Sequence, residues 1–127
     1  MSDINIDSLK NEVLERSRRW IESFNSGDVD ACVGAYTEDA VMNAKPFGTF
    51  KGPQEIDAFW RPFMGSGPSG LEYSNVELEV IDEDTVHLSA DWRMSVGRGI
   101  ITKERWVRQP GGEWMLSEDD FELQEQF

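Results

Sequence analysis

Apolar residues form one helical stripe near the N-terminus and then, past residue 70, fall on alternate positions. Leu9, Val13, Trp20 and Phe24, with Ser17 among them and Ile21 alongside, recur at steps of three and four. That period gives a helix one apolar side. Lys10, Glu12, Glu15, Arg18, Arg19 and Glu22 take the other side. Asp7 is placed to cap the helix start, and Gly27 to end it in left-handed backbone. Asp28 then caps a short second helix, from 29 to about 36, with Val29, Cys32, Val33 and Tyr36 inward. Residues 40–44 read as a strand, followed by a turn at Pro46-Phe47-Gly48. Gly52-Pro53 opens a third helix, with proline at the first helical position, where its missing N–H costs nothing. Ile56, Phe59, Trp60 and Phe63 form its apolar side, and Pro62 is expected to end or kink it.

From Leu71 the period changes to two. Val76, Leu78 and Val80 alternate with polar residues in a strand that closes at Asp82-Glu83-Asp84. Residues 85–96 put Val86, Leu88, Ala90, Trp92, Met94 and Val96 on one face. His87, Ser89, Asp91, Arg93 and Ser95 lie on the other. A three-residue hairpin loop, Gly97-Arg98-Gly99, carries glycine where such loops need left-handed backbone. It pairs Val96 with Ile100, Met94 with Thr102, Trp92 with Glu104 and Ala90 with Trp106. Glu104 then points inward among indoles, and Asp91 and Arg93 point outward. A two-residue loop would instead put Asp91, Arg93 and Glu104 on one face. Pro110-Gly111-Gly112 makes the last turn before a strand from 113 to about 123. The order is α-α-β-α-β-β-β-β: an α+β domain, helices on one face of a curved antiparallel sheet. No repeat or linker divides residues 1–127, so one domain is expected.

Composition narrows the partners. The 127 residues carry 12 Lys and Arg against 25 Asp and Glu, a net charge of −13. A phosphate backbone needs a basic footprint, so nucleic acid is excluded, as is an anionic membrane surface. A small, largely uncharged apolar molecule or another protein remains. The single cysteine, Cys32, and the single histidine, His87, remove an intrachain disulfide, a cysteine zinc site and multi-histidine metal clusters. Neither a metal nor a cofactor is expected. With no apolar run of about 20 residues and a polar stretch from Met1 to Leu9, the sequence predicts no membrane span, no secretory signal and a cytoplasmic location. Cys32 reads as packing, since a free cysteine behaves as a small hydrophobe. His87 reads as a surface or dimer contact.

Several stretches recur in the order of a known group. They are Phe24-Asn25-Ser26-Gly27-Asp28-Val29-Asp30-Ala31, Tyr36-Thr37-Glu38-Asp39-Ala40-Val41, and Gly48-Thr49-Phe50-Lys51-Gly52-Pro53 leading into Ile56-Asp57-Ala58-Phe59-Trp60. Glu104-Arg105-Trp106-Val107-Arg108 and Gly112-Glu113-Trp114 follow. Over nearly its whole length the chain resembles the nuclear transport factor 2-like superfamily, in its ketosteroid-isomerase and polyketide-cyclase (SnoaL-like) branch. The resemblance implies a cone-shaped domain with a pocket between helices and concave sheet, and a homodimer packed through the sheet. Ketosteroid isomerases use an Asp base and an oxyanion hole of one Tyr and one protonated Asp. The family's tyrosine falls at Trp20, whose indole can donate one hydrogen bond. Its base falls at Ala44 or Lys45, neither a carboxylate, and its protonated acid falls at Glu104.

The catalytic candidates are therefore Glu104, as acid or oxyanion donor with its pKa raised by an apolar setting, and Trp20 beside it. Phe24, Phe47, Phe59, Trp60, Phe63, Trp92 and Trp106 are expected to line an apolar pocket. Tyr36, Asn43 and Asp120 are its expected polar handles, Asp120 because strand alternation gives it the face of Trp114 and Leu116. Asp91-x-Arg93 resembles the carboxylate–arginine arrangement of epoxide hydrolases on this fold. Such folds host isomerases, hydrolases, dehydratases, cyclases and plain binding modules. Two readings stay open. One is an isomerase, cyclase or hydrolase acting on a small, mostly apolar carbonyl or cyclic substrate, with water or the substrate assisting proton transfer. The other is a ligand-binding or protein-interaction domain without chemistry.

Overall fold

The computed structural model describes residues 5–127; the polar N-terminal stretch begins outside the described residues. Helix α1 (Ile6–Asn25) buries Leu9, Val13, Ser17, Trp20 and Phe24, the stripe expected from the spacing. Its cap is Asn5 rather than Asp7: the Asn5 side chain accepts from the Ser8 N–H at 3.0 Å, and Asp7 lies inside the first turn. There its charge still favours the helix dipole. Gly27 follows in left-handed backbone at φ 77°. Helix α2 (Val29–Gly34) is capped by Asp28 and stops short of Tyr36, which opens strand β1 (Tyr36–Lys45). Tyr36 is a strand residue because Leu116 draws it into the sheet by parallel pairing.

A short strand, β2 (Gly48–Lys51), has no counterpart in the sequence pattern. Four residues are too few to show a period, and it forms only by pairing back on β1. Helix α3 (Gly52–Gly65) runs three residues past Pro62. In the last turn proline forfeits a single backbone hydrogen bond, and Met64 beyond it is buried. Strands β3 (Glu72–Asp82), β4 (Thr85–Met94), β5 (Gly97–Arg108) and β6 (Trp114–Gln126) form an antiparallel meander. The sheet order is β2-β1-β6-β5-β4-β3, with β1 parallel to β6. On the edge strand β3, Leu78 and Val80 are half-buried while Val76 is exposed. No described helix is long and apolar enough to cross a membrane.

The β4–β5 register corrects the sequence expectation. The loop is the two-residue Ser95-Val96, pairing Met94 with Gly97, Trp92 with Gly99 and Ala90 with Ile101. Val96 is consequently exposed at the hairpin tip. That register alone would turn Glu104 outward. Between Ile101 and Glu104, however, β5 sets two residues, Thr102 and Lys103, against Ser89 of β4, and pairing resumes as Leu88–Glu104 and Val86–Trp106. The bulge restores the parity, so Glu104 and Trp106 face inward while Asp91 and Arg93 still face outward.

Gly99 is fixed by close approach. A Cβ there would meet the Glu122 carbonyl oxygen at 1.8 Å and the Trp92 ring at 2.9 Å. Gly99→Ala is expected to lower the unfolding free energy by roughly 3 kcal/mol, as overpacking with backbone displacement does. Urea denaturation of the two proteins measures it, and an unchanged midpoint would mean that the strands are not so closely apposed.

Candidate active site

The inward face of β4, β5 and β6 is stacked in layers descending from the β4–β5 hairpin. Met94, Gly97 and Gln126 come first, then Trp92, Gly99 and Leu123. Ala90, Ile101 and Phe121 follow, then Leu88, Glu104 and Asp119. Helices α1 and α3 cross this face without filling it, leaving a cavity of about 260 Å³ between aromatic side chains and the sheet.

Of the expected lining residues, Trp20, Phe24, Phe47, Phe59, Trp60, Phe63 and Trp92 border the cavity. Their rings contact one another in a chain: Trp20 on Phe24 and Trp60, Phe59 on Phe47, Trp60 and Phe63. Trp20, however, cannot serve as an oxyanion donor here. Its indole Nε1–H donates to the Cys32 carbonyl at 3.1 Å, tying α1 to α2, and only its ring meets the cavity. Cys32 is fully buried, and burial pushes its thiol up to about 12, so it is an inert packing residue.

Trp106 is buried one layer below the cavity rather than lining it, and its Nε1–H donates to Glu104 Oε1 at 3.0 Å. Asn43 and Asp120 lie on the outer side of the sheet. Asn43 donates to Asp120 Oδ1 at 2.7 Å, and Lys103 stands nearby. A second bulge is responsible. Strand β6 carries Ser117 as an extra residue between the pairs Trp106–Leu116 and Arg105–Glu118. Past that point the inward position is Asp119, not Asp120.

The bulges on β5 and β6 bring Glu104 and Asp119 together as direct cross-strand partners on one face, where Cβ atoms stand about 5 Å apart. Each is 4% exposed. Two carboxylates so placed cannot both ionise cheaply. Burial, and then the charge of Asp119, push Glu104 up to about 8, against the hydrogen bonds from Trp106 and Tyr73. Burial likewise raises Asp119 to about 7, against the hydrogen bond from Tyr36. Near neutral pH the pair therefore keeps a proton that two separate carboxyl groups would have lost.

Two tyrosines orient the pair. Tyr36, buried beneath the cavity and not lining it, donates its hydroxyl to Asp119 Oδ2 at 2.6 Å and accepts from Trp60 Nε1–H at 3.2 Å. Tyr73 donates to Glu104 Oε2 at 2.9 Å. Burial raises both phenols well above their ordinary value, so both remain donors. Asp119 and Tyr73 border the cavity, whereas Glu104 lies behind them. No described donor reaches Asp119 Oδ1. Sequence reasoning missed Asp119, Tyr73 and Phe121, because their inward placement depends on bulges that alternation cannot show.

Asp91 and Arg93 stand away from the cavity: Asp91 accepts from Asn75 at 2.6 Å, and the Arg93 guanidinium lies 4.8 Å from the Phe127 ring centroid. His87 is half-buried on the outer face, its pKa lowered by burial and by Lys103 and Arg105. It has no path to the cavity.

No curated protein matches the sequence. Among solved structures, a scytalone dehydratase candidate from Novosphingobium aromaticivorans superposes with a TM-score of 0.83 at 12% identity, covering 100% of this chain and 91% of its own. ActVI-ORFA from Streptomyces coelicolor gives 0.75 at 14%, covering 91% and 97%. A nuclear transport factor 2-like protein of unknown function from Pseudomonas putida gives 0.80 at 17%, covering 91% and 87%. At such identities the likeness establishes the cone-shaped nuclear transport factor 2-like fold. The model of the SnoaL-like domain matches residues 17–120, from the middle of α1 to the acids of β6, and the chain belongs to the SnoaL-like domain family.

Proposed function

We propose that this protein is an enzyme of the isomerase, cyclase or hydrolase type that moves a proton on a small, mostly apolar carbonyl or cyclic substrate. Asp119 is the general base, and Glu104 is the neutral acid directly across the strands from it. One observation carries the reading: a buried carboxyl group borders an otherwise apolar cavity with its pKa raised to about 7. A base works best when its pKa lies near the working pH. Tyr36 fixes one oxygen of Asp119, leaving Oδ1 for the substrate proton. Glu104 lies behind it as a neutral acid whose own proton can turn to the Tyr73 oxygen, 2.9 Å from Oε2, and so free the Tyr73 hydroxyl to donate to a developing oxyanion in the cavity. The role expected of Glu104 from the sequence is thus exercised through Tyr73.

Pockets for drug-sized molecules begin at about 300 Å³, so this cavity suits one or two rings rather than four. The direct test is deuterium uptake at the α-carbons of compact cyclic ketones, 2-tetralone first, from heavy water, followed by mass spectrometry. Acceleration that rises as Asp119 ionises supports the reading. Ketone binding without exchange would sink it and leave a ligand-binding domain. That second reading is favoured by Trp20, whose N–H is committed to Cys32, and by the absence of a carboxylate at positions 44 and 45. The outer face of the sheet, polar and carrying Lys103, Arg105 and Glu118 in ion pairs, is the surface through which the proposed homodimer would pack. Sedimentation velocity should give a dimer mass; a monomer across micromolar concentrations would refute it.

A further inference from the structure

The charge balance inside the cavity is one-sided. Among the described residues, nine of its lining side chains are aromatic, counting Tyr73, and the ionisable group besides that phenol is Asp119. No described Lys, Arg or His lines it. An anionic ligand would therefore meet a buried acid and no compensating cation. A wholly apolar ligand would leave Asp119 Oδ1 without a donor. A positive nitrogen satisfies both the carboxylate and the negative faces of the rings, as in the aromatic cages that bind ammonium groups.

We infer that the site selects a compact apolar molecule bearing a protonated amine, its nitrogen seated on Asp119 Oδ1 beside the rings of Phe121, the next inward residue of β6, and Trp60, stacked on Phe121 at 5.7 Å. Asp119 stands at the inner end of the cavity, in the layer of Glu104, while the lining residues at the β4–β5 hairpin end, Val96 and Gln126, are exposed to solvent. The amine therefore leads, and the apolar body fills the space between α3 and the sheet. The inference rests on the cavity being a ligand site, as the proposed function does, but not on proton transfer taking place there. An ammonium on Oδ1 occupies the oxygen that would take a proton, with Oδ2 held by Tyr36, so such an amine is a ligand that blocks proton transfer rather than a substrate for it.

Three probes on one bicyclic frame separate the possibilities by isothermal titration calorimetry at neutral pH: 2-aminotetralin, 2-tetralol and tetralin-2-carboxylate. The amine should bind about 10-fold tighter than the alcohol, in keeping with a desolvated cation–π and ionic contact, and the carboxylate should not bind measurably. In Asp119→Asn the amine should lose its advantage while the alcohol keeps its affinity. Phe121→Leu, which keeps bulk without a π face, should weaken the amine more than the alcohol and serves if Asp119→Asn does not fold. Equal or tighter binding of the alcohol overturns the charge preference and leaves the proton-transfer reading standing. Failure of all three probes to bind overturns both. Deuterium exchange on ketones with no amine preference overturns this inference alone.

Discussion

Asp119→Asn is expected to reduce proton exchange from a bound cyclic ketone by about 10²- to 10⁴-fold, the usual contribution of a positioned general base. The asparagine keeps the volume and can still accept the Tyr36 hydroxyl, whose bond to Oδ2 is 2.6 Å. What it loses is the ability to take a proton. Asp120→Asn is the matched control: Asp120 lies on the outer side of the sheet against Asn43, and its charge helps to raise Asp119, so its replacement should move the pH rise downward and keep exchange within about a factor of ten. Exchange rates from mass spectrometry for the two variants decide the matter. Equal losses, or none in either, would remove Asp119 from the chemistry. The wild-type rate should rise with pH through the region near 7 where Asp119 gives up its proton, whereas residual exchange in Asp119→Asn should lack that rise.

Glu104→Gln is expected to flatten the pH dependence of stability. In the folded protein Glu104 is raised to about 8 by burial and by Asp119, against about 4.3 in an unfolded chain. The sign follows from which state holds the proton. Between those values the folded protein binds more protons than the unfolded one, so stability falls as pH rises. The stabilising contribution is fully present below the unfolded value and lost by the time pH passes the folded one. For a group this buried the loss is on the order of a few kcal/mol, or about 10 °C in melting temperature for a chain of this length. Melting curves from pH 5 to 9 should therefore fall steeply for the wild type and more gently for Glu104→Gln, with the variant the more stable at pH 9. Asp119 titrates in an overlapping range with the same sign, so some slope remains until both acids are replaced. Identical slopes in the two proteins would place the Glu104 carboxyl in water.

Much of the architecture is legible in the chain. The stripe from Leu9 to Phe24 specifies α1, Asp28 the start of α2, Gly52-Pro53 that of α3, and the alternation from Val86 to Met94 the inward face of β4. These are local regularities: each follows from a period or a cap that acts over a few residues. The aromatic lining is legible for a related reason, since Trp60, Phe59 and Phe63 share one side of a helix whatever it packs against. Even the inward Glu104 follows from the alternation, although by a loop and a register that the strands do not adopt.

The polar half of the site comes from long-range pairing. Alternation assigns faces correctly until a strand carries an extra residue, and beyond each bulge every assignment inverts. One bulge on β5 keeps Glu104 inward in spite of the two-residue loop, and one on β6 exchanges Asp120 for Asp119. Trp20 shows the same limit at the level of a single bond: its place on the helix is readable, but the carbonyl its N–H meets belongs to Cys32 on another helix. Local pattern and composition account for the elements, the acidic surface and the ring-lined interior. Which two carboxyl groups share that interior is settled by the packed sheet, because a bulge is fixed by the strand across from it and leaves no mark on the periodicity of its own.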